Sequence, residues 1–161
     1  MFATRADLLA RSNAMRLAQL AIPADYEFPG AEQALRKAIE GGSLDSYSAD
    51  NRAALALALD AIDRCLADAD ALLVSYGIPP EQKTTLLARF TSTVALYYLQ
   101  GAERMTEDVQ AAYDAVLALL DKFQKGILPG LVPPEPSGFA DIQSGARRYP
   151  PRFPSGEEGG E

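Results

Sequence analysis

Residues 49–76 read ADNRAALALALDAIDRCLADADALLVSY, and apolar side chains recur along them in alternating steps of four and three residues. This spacing predicts an α-helix with one face turned toward a core. At a rise of 1.5 Å per residue the helix is roughly 40 Å long. The apolar seam consists of Leu55, Leu59, Ile62, Leu66, Ala69, Leu73 and Tyr76. Because so long a seam needs other helices to cover it, the stretch indicates a helical bundle.

Two further amphipathic helices follow this seam. Gly77 ends the first helix, and Pro80 predicts the start of the next, since proline suits the first turn of a helix. That helix extends to about Gln100, and Thr106 begins a last helix that stops at Gly126. The expected apolar faces are Leu87, Phe90, Val94 and Tyr97 on the first of the two, and Val109, Tyr113, Val116, Leu120 and Phe123 on the second. We expect these two helices to cover the seam; a coiled-coil interface is the alternative.

The chain before the seam predicts shorter helices. Thr4 and Asp7 have the spacing of a capping box, in which each side chain satisfies a free backbone N–H of the first turn. Residues 4–21 form one bent helix or two short ones, with Asn13 as the cap between them. A further helix is expected over 31–40, ended by Gly41 and Gly42.

After Gly126 the composition changes to one rich in proline and glycine, with no helical or strand period. Such a segment cannot bury enough surface by itself to offset its conformational entropy. We therefore divide the chain into a helical domain over 1–126 and an extended C-terminal arm over 127–161. The predicted fold class is all-α, a small antiparallel helical bundle with a long irregular arm.

The composition narrows the possible functions. With a net charge of −7 and a sequence pI near 4.6, the chain lacks the clustered Lys and Arg of a nucleic-acid-binding surface. It contains no histidine, which removes the commonest general base and the Glu-x-x-His di-iron site. The single Cys65 cannot form an intramolecular disulfide. We expect a soluble, intracellular protein with no catalytic site, cofactor or metal, and no membrane association.

Two groups of residues are candidates for a role in assembly. The first group lies off the apolar seam and forms either a solvated face or an acidic channel wall that repels passing DNA: Asp60, Asp63, Asp68 and Asp70. The second group lies in the arm, where arginines and aromatic residues are typical anchors of an interface. Its members are Phe139, Ile142, Arg147, Arg148, Tyr149 and Phe153. A solvated tail and a nucleic-acid contact are the alternatives for the second group.

Several phrases of the sequence resemble the small head-to-tail adaptor (connector) proteins of Mu-like phages. The N-terminal phrase is Phe2-Ala-Thr-Arg-Ala-Asp-Leu-Leu-Ala-Arg11, followed by Leu17-Ala-Gln-Leu20. Later phrases are Asp68-Ala-Asp-Ala-Leu-Leu-Val-Ser-Tyr-Gly-Ile-Pro79, Ala95-Leu-Tyr-Tyr-Leu99, Met105-Thr-Glu-Asp108 with Tyr113, and Gly126-Ile-Leu128. Their order and spacing carry the resemblance over residues 2–22 and 54–131. Residues 23–52 depart from it, and the tail past Leu131 extends beyond it.

The resemblance implies a structural role in the virion neck, between head and tail, after assembly in the host cytoplasm. Such proteins form a ring, commonly a dodecamer, beneath the portal protein. The ring extends the DNA channel and provides the docking surface for the next neck or tail-completion protein, while DNA passes without specific binding. The alternative hypothesis is a non-catalytic helical regulatory or scaffold module that recruits a partner through its C-terminal tail.

Overall fold

The computed structural model describes residues 1–101 and 104–127, which form α-helices and no strand. The helices are α1 (Arg5–Arg11), α2 (Ala14–Ala21), α3 (Ala31–Ile39), α4 (Ala49–Ser75), α5 (Thr85–Gln100) and α6 (Glu107–Gln124). The predicted all-α class is confirmed for this part of the chain. The predicted arm lies outside the described residues, apart from Ile127 at its start.

The first two helices begin as their sequence predicts. The Thr4 hydroxyl accepts the Asp7 N–H at 3.2 Å, and the Asp7 carboxylate accepts the Thr4 N–H at 2.8 Å, which completes the capping box. Residues 4–21 form two helices, because Asn13 has extended backbone geometry and its Oδ1 accepts the Arg16 N–H at 2.7 Å. Asn13 is therefore the N-cap of α2.

The fifth helix starts later than predicted. It begins at Thr85, with Thr84 as its N-cap, and the Thr84 hydroxyl accepts the Leu87 N–H at 3.1 Å. Pro80 lies in a turn in which the Gln82 N–H donates to the Pro79 carbonyl at 3.1 Å. Our prediction of a start at Pro80 was wrong, because a threonine cap supplies a hydrogen bond that proline lacks.

The seam of α4 is confirmed as its buried face. Leu55, Ile62, Leu66, Ala69 and Leu73 are fully buried, and Leu59 and Tyr76 are partly buried against the core. The helix ends in a Schellman motif, in which the Gly77 N–H donates to Val74 and the Ile78 N–H donates to Leu73. Gly77 has a φ of 86°, a conformation that favours glycine.

The centre of the bundle is α5, which packs against α1, α4, α6 and α2. Its buried residues lie on more than the one predicted face: Leu87, Phe90, Thr91, Ser92, Thr93, Val94, Ala95 and Gln100. The seam of α4 is covered mainly by α5, α2 and α3, whereas α6 packs on α5. Our expectation that α5 and α6 cover this seam is confirmed for α5. It was wrong for α6, because α2 and α3 bring their own apolar side chains to α4. The N-terminal segment joins this core through Phe2, Ala3 and Leu8, all buried.

Candidate assembly surfaces

The structure divides the four candidate carboxylates of α4 into two pairs. Asp63 and Asp70 lie beside the N-terminal segment and are partly buried, and both are hydrogen-bonded to it. Asp60 and Asp68 lie on the exposed part of the helix. The sequence placed all four off the seam, which is correct, but it did not separate the two pairs. Whether any of them faces a DNA channel stays a prediction.

Asp63 forms a two-pronged ion pair with Arg5 of α1. Arg5 Nε lies 2.7 Å from Asp63 Oδ1, and Arg5 Nη2 lies 2.5 Å from Asp63 Oδ2. This two-pronged geometry fixes the relative orientation of the two side chains, in addition to the attraction between their charges. The hydrogen bonds from Arg5 lower the pKa of the Asp63 carboxyl below its usual value. The pair thus fixes α1 to the middle of α4.

Asp70 holds the start of the chain in place. Its Oδ1 accepts the Phe2 N–H at 2.9 Å, and Asp70 lies about two helical turns beyond Asp63. Phe2 and Ala3 are buried next to this bond, with 5% and 1% of their surface exposed. A backbone N–H that enters a core needs a partner, and Asp70 provides it. The sequence contained no signal for this contact, since the two residues are 68 positions apart.

The side of α4 opposite its seam is exposed. We call it the outer side of α4, and its residues are all exposed: Ala53, Ala56, Leu57, Asp60, Arg64, Ala67, Asp68, Ala71 and Val74. Asp60 pairs with Arg64 one turn further on. Leu57 is 49% exposed and Val74 is 43% exposed. The outer side therefore combines small side chains, two exposed apolar residues and two carboxylates.

A second exposed surface lies along α5, between α1 and α6, and we call it the α5 groove. It consists of two adjoining depressions of about 270 and 260 Å³ that share Arg11 and Arg89. The depression on the α6 side also contains Leu86 and Leu119, which are 41% and 36% exposed. On the α1 side lies Ser92, whose buried hydroxyl has no hydrogen-bond partner among the described residues. This surface could not be predicted from the sequence, because its residues come from three helices.

Four tyrosines cluster where α4, α5 and α6 meet. The rings of Tyr97 and Tyr113 are stacked with centroids 3.8 Å apart, and Tyr98 lies 6.2 Å from Tyr113. Burial, followed by the nearby Tyr113 hydroxyl, raises the pKa of Tyr98 to about 12. Partial burial and the Asp121 carboxylate likewise raise the pKa of Tyr76. Of the adjacent pair, Tyr98 packs against the core, whereas Tyr97 packs on a tyrosine of α6.

A polar network attaches the α5–α6 connection to α2. Arg16 donates to the Gln100 side chain at 3.1 Å, and Gln100 donates to the Arg104 carbonyl. Arg104 in turn donates to the Gln19 carbonyl at 2.9 Å. In the Leu17-Ala-Gln-Leu20 phrase, Leu17 is therefore a core residue, and Gln19 contributes its backbone rather than its side chain.

The remaining candidate residues belong to the arm. Phe139, Ile142, Arg147, Arg148, Tyr149 and Phe153 lie outside the described residues. Within residues 1–101 and 104–127, no three His, Cys, Asp or Glu side chains come together as metal ligands. In the same ranges, no helix has both the length and the apolar character needed to cross a bilayer. Cys65 is partly buried against the core, and burial raises the pKa of its thiol.

Comparison with known proteins gives a family match. A family model described as Bacteriophage Mu, Gp36 matches residues 2–133. The matched range contains the six helices of the described residues and the N-terminal segment held by Asp70. No curated protein and no solved structure matches the chain.

Proposed function

The chain belongs to the bacteriophage Mu Gp36 family, and on that premise we propose that it is a structural head-to-tail adaptor of a tailed phage. In this proposal several copies form a ring beneath the portal protein in the neck of the virion. The ring extends the DNA channel and presents a docking surface to the next neck or tail-completion protein. The observation that carries the proposal is the family match across the whole helical body.

The body has properties suited to an assembly component. Two separate surfaces, the outer side of α4 and the α5 groove, expose leucine side chains next to charged groups. Apolar residues on an otherwise polar surface are common at sites of protein contact. The net charge of −7 favours passage of DNA without retention, because binding to phosphates requires clustered cations. We propose that the protein acts through shape and charge and catalyses no reaction.

The arm is the proposed contact with neighbouring subunits or with the portal protein. Fully extended, about 35 residues reach about 100 Å at ~3.3 Å per residue, which is enough to span more than one subunit. Its anchors would be Phe139, Ile142, Arg147, Arg148, Tyr149 and Phe153. Many such arms in one ring act together, so each contact can be weak.

Electron microscopy of the purified full-length chain tests the proposal directly. We expect rings, formed alone or after addition of the phage's own portal protein. Phage that lack this protein should accumulate heads without tails. Absence of rings in both preparations, or normal virion yield without the protein, contradicts the proposed function. Retention of DNA in a salt-sensitive gel shift contradicts the proposed passive channel.

Truncation after Leu131 tests the arm separately. The bundle should fold and melt like the full chain, since every described core residue is retained. Particles assembled with the truncated protein should lose DNA or fail to acquire tails. Infectious virions at normal yield would show that the arm is dispensable.

A further inference from the structure

The two exposed surfaces lie on opposite sides of the bundle. The side of α4 that packs on α5 is its buried seam, so the outer side of α4 faces away from α5. The α5 groove is formed by α1, α5 and α6 and contains no residue of α4. A contact between such different and opposed surfaces is heterologous, and repetition of a heterologous contact closes into a ring when the rotation allows it.

We propose that the outer side of α4 in one copy docks in the α5 groove of a second copy. The inference rests on the proposed function, because it names the contact that would hold the ring together. The occupant of the groove is thus a long helix of the same chain rather than a peptide or a ligand.

The charges of the two surfaces are complementary. Arg11 and Arg89 are exposed and lie in both depressions of the groove. Asp7 lies at the α1 side of the groove, but its carboxylate already accepts hydrogen bonds from Thr4. On the outer side of α4, Asp68 forms no ion pair with a described residue, and Asp60 is balanced only by Arg64. With Asp7 and Arg64 counted, the groove has a net charge of +1 and the outer side of α4 has a net charge of −1, and this complementarity favours correct orientation of the partners.

The shapes and apolar groups of the two surfaces also match. Alanines at 53, 56, 67 and 71 leave the outer side of α4 narrow enough for close approach to another helix. Leu57 and Val74 supply apolar surface on this side, and Leu86 and Leu119 supply it in the groove. The unpartnered Ser92 hydroxyl is a buried polar group within the groove. Such groups favour an occupant that brings polar atoms.

Docking has a consequence for the acidic channel wall. Carboxylates that face a neighbouring subunit do not face the DNA, so Asp60 and Asp68 would belong to the subunit contact. Asp63 and Asp70 are held by Arg5 and Phe2. The proposed contact therefore assigns the channel wall to another part of the ring.

Charge reversal of the full-length chain tests the pairing. Arg11→Glu with Arg89→Glu should convert rings to monomers in light scattering, and so should Asp60→Lys with Asp68→Lys. The variant that carries all four substitutions should recover rings, since opposite charges again face each other. Met15→Glu is the matched control, because Met15 is 56% exposed and lies outside both surfaces. Circular dichroism confirms that each variant is folded.

Cross-linking locates the contact without relying on charge. In a Cys65→Ser background, one preparation carries Ala67→Cys and the other carries Leu119→Cys. A short bis-maleimide should join the two chains when they are mixed and should give far less product within either preparation alone. Replacing Leu119→Cys by Met15→Cys should abolish the mixed product.

The outcomes separate this inference from the proposed function. Rings that persist in the charge-reversed variants, or that show no cross-link between positions 67 and 119, overturn the inference and leave the adaptor function standing. A parent chain that forms no ring, with or without portal protein, overturns both. Loss of rings in the paired variants with recovery in the fourfold variant supports the inference.

Discussion

The two sides of α4 have similar aliphatic residues but opposite environments. On the inner side, Leu55 and Leu66 are fully buried, whereas Leu57 on the outer side is 49% exposed. The acidic residues divide in the same way, because Asp63 pairs with a residue of another helix and Asp60 pairs within its own helix. Composition alone therefore does not tell which residues stabilise the fold. The position of a residue relative to the seam does, so matched substitutions on the inner and outer sides of α4 should differ in their effect on stability.

The largest difference in stability is expected between a charge placed on the inner side of α4 and one placed on its outer side. Leu66→Asp puts an unpaired carboxylate into the core and should lower the free energy of unfolding by at least about 3 kcal/mol. Ala67→Asp, one residue further on but exposed, should lower it by only about 1 kcal/mol, the cost of the lower helix propensity of Asp and of repulsion by Asp63 and Asp70. Urea denaturation followed by circular dichroism measures both values. Equal melting of the Leu66→Asp variant and the parent would mean that the core is wrongly assigned.

Removal of an apolar side chain should also destabilise the fold more on the inner side of α4 than on the outer side, but by a smaller amount. Leu66→Ala leaves a cavity and should cost about 2–5 kcal/mol of unfolding free energy. Leu57→Ala removes the same atoms from an exposed position and should cost about 0.5 kcal/mol or less in the monomer. Thermal unfolding at low protein concentration compares the two. A comparable loss in both variants would show that the outer side is already covered within one copy.

The ion pairs extend the comparison to charged groups. Both members of the Arg5–Asp63 pair are more than one-third exposed, so water screens their attraction. We expect a coupling energy of about 1 kcal/mol for this two-pronged pair, and ~0.3–0.5 kcal/mol for the Asp60–Arg64 pair within α4. Double-mutant cycles with Arg→Gln and Asp→Asn variants measure each coupling. A larger coupling for Asp60–Arg64 would argue against the link between α1 and α4.

The smallest expected effect is a dependence of stability on pH. Arg5 lowers the pKa of Asp63 in the folded chain. The contribution of Asp63 is therefore complete above the unfolded-state pKa of about 3.9 and is lost as the pH falls through the lower folded-state pKa. In the Asp63→Asn variant, Tm should fall less steeply than in the parent as the pH is lowered below about 3.9. The Arg5→Gln variant should behave in the same way. If Tm falls with decreasing pH in both variants as it does in the parent, Arg5 does not lower the pKa of Asp63.

Most of the fold could be predicted from local patterns. The 4-3 spacing of the seam identified the buried face of α4, and capping residues located the starts of α1 and α2. The start of α5 was missed because Pro80 and Thr84 are both acceptable starts by local rules. The central position of α5 was also missed, although its sequence contains a single charged residue, Arg89, over 85–100. Low charge on every side of a helix is a signal of burial.

The candidate surfaces were less predictable. The four acidic residues of α4 were identified, but their division into bound and exposed pairs depends on Arg5 and Phe2, which are distant in sequence. The α5 groove depends on three helices that lie side by side only in the folded chain. Short-range periodicity contains no information about such contacts, since they are set by packing between elements.

The sequence by itself determined the helical class, the seam of α4, the caps of the first helices and the family phrases at 2–20 and beyond. These features depend on side-chain periodicity and on hydrogen bonds between residues a few positions apart, so they can be derived without the fold. Only the tertiary structure decided that α5 is central, that Asp63 and Asp70 hold the N-terminal segment, and that Arg11 and Arg89 share a groove. The physical reason is that burial and charge pairing depend on which helices become neighbours, and that choice is made by packing of the whole chain.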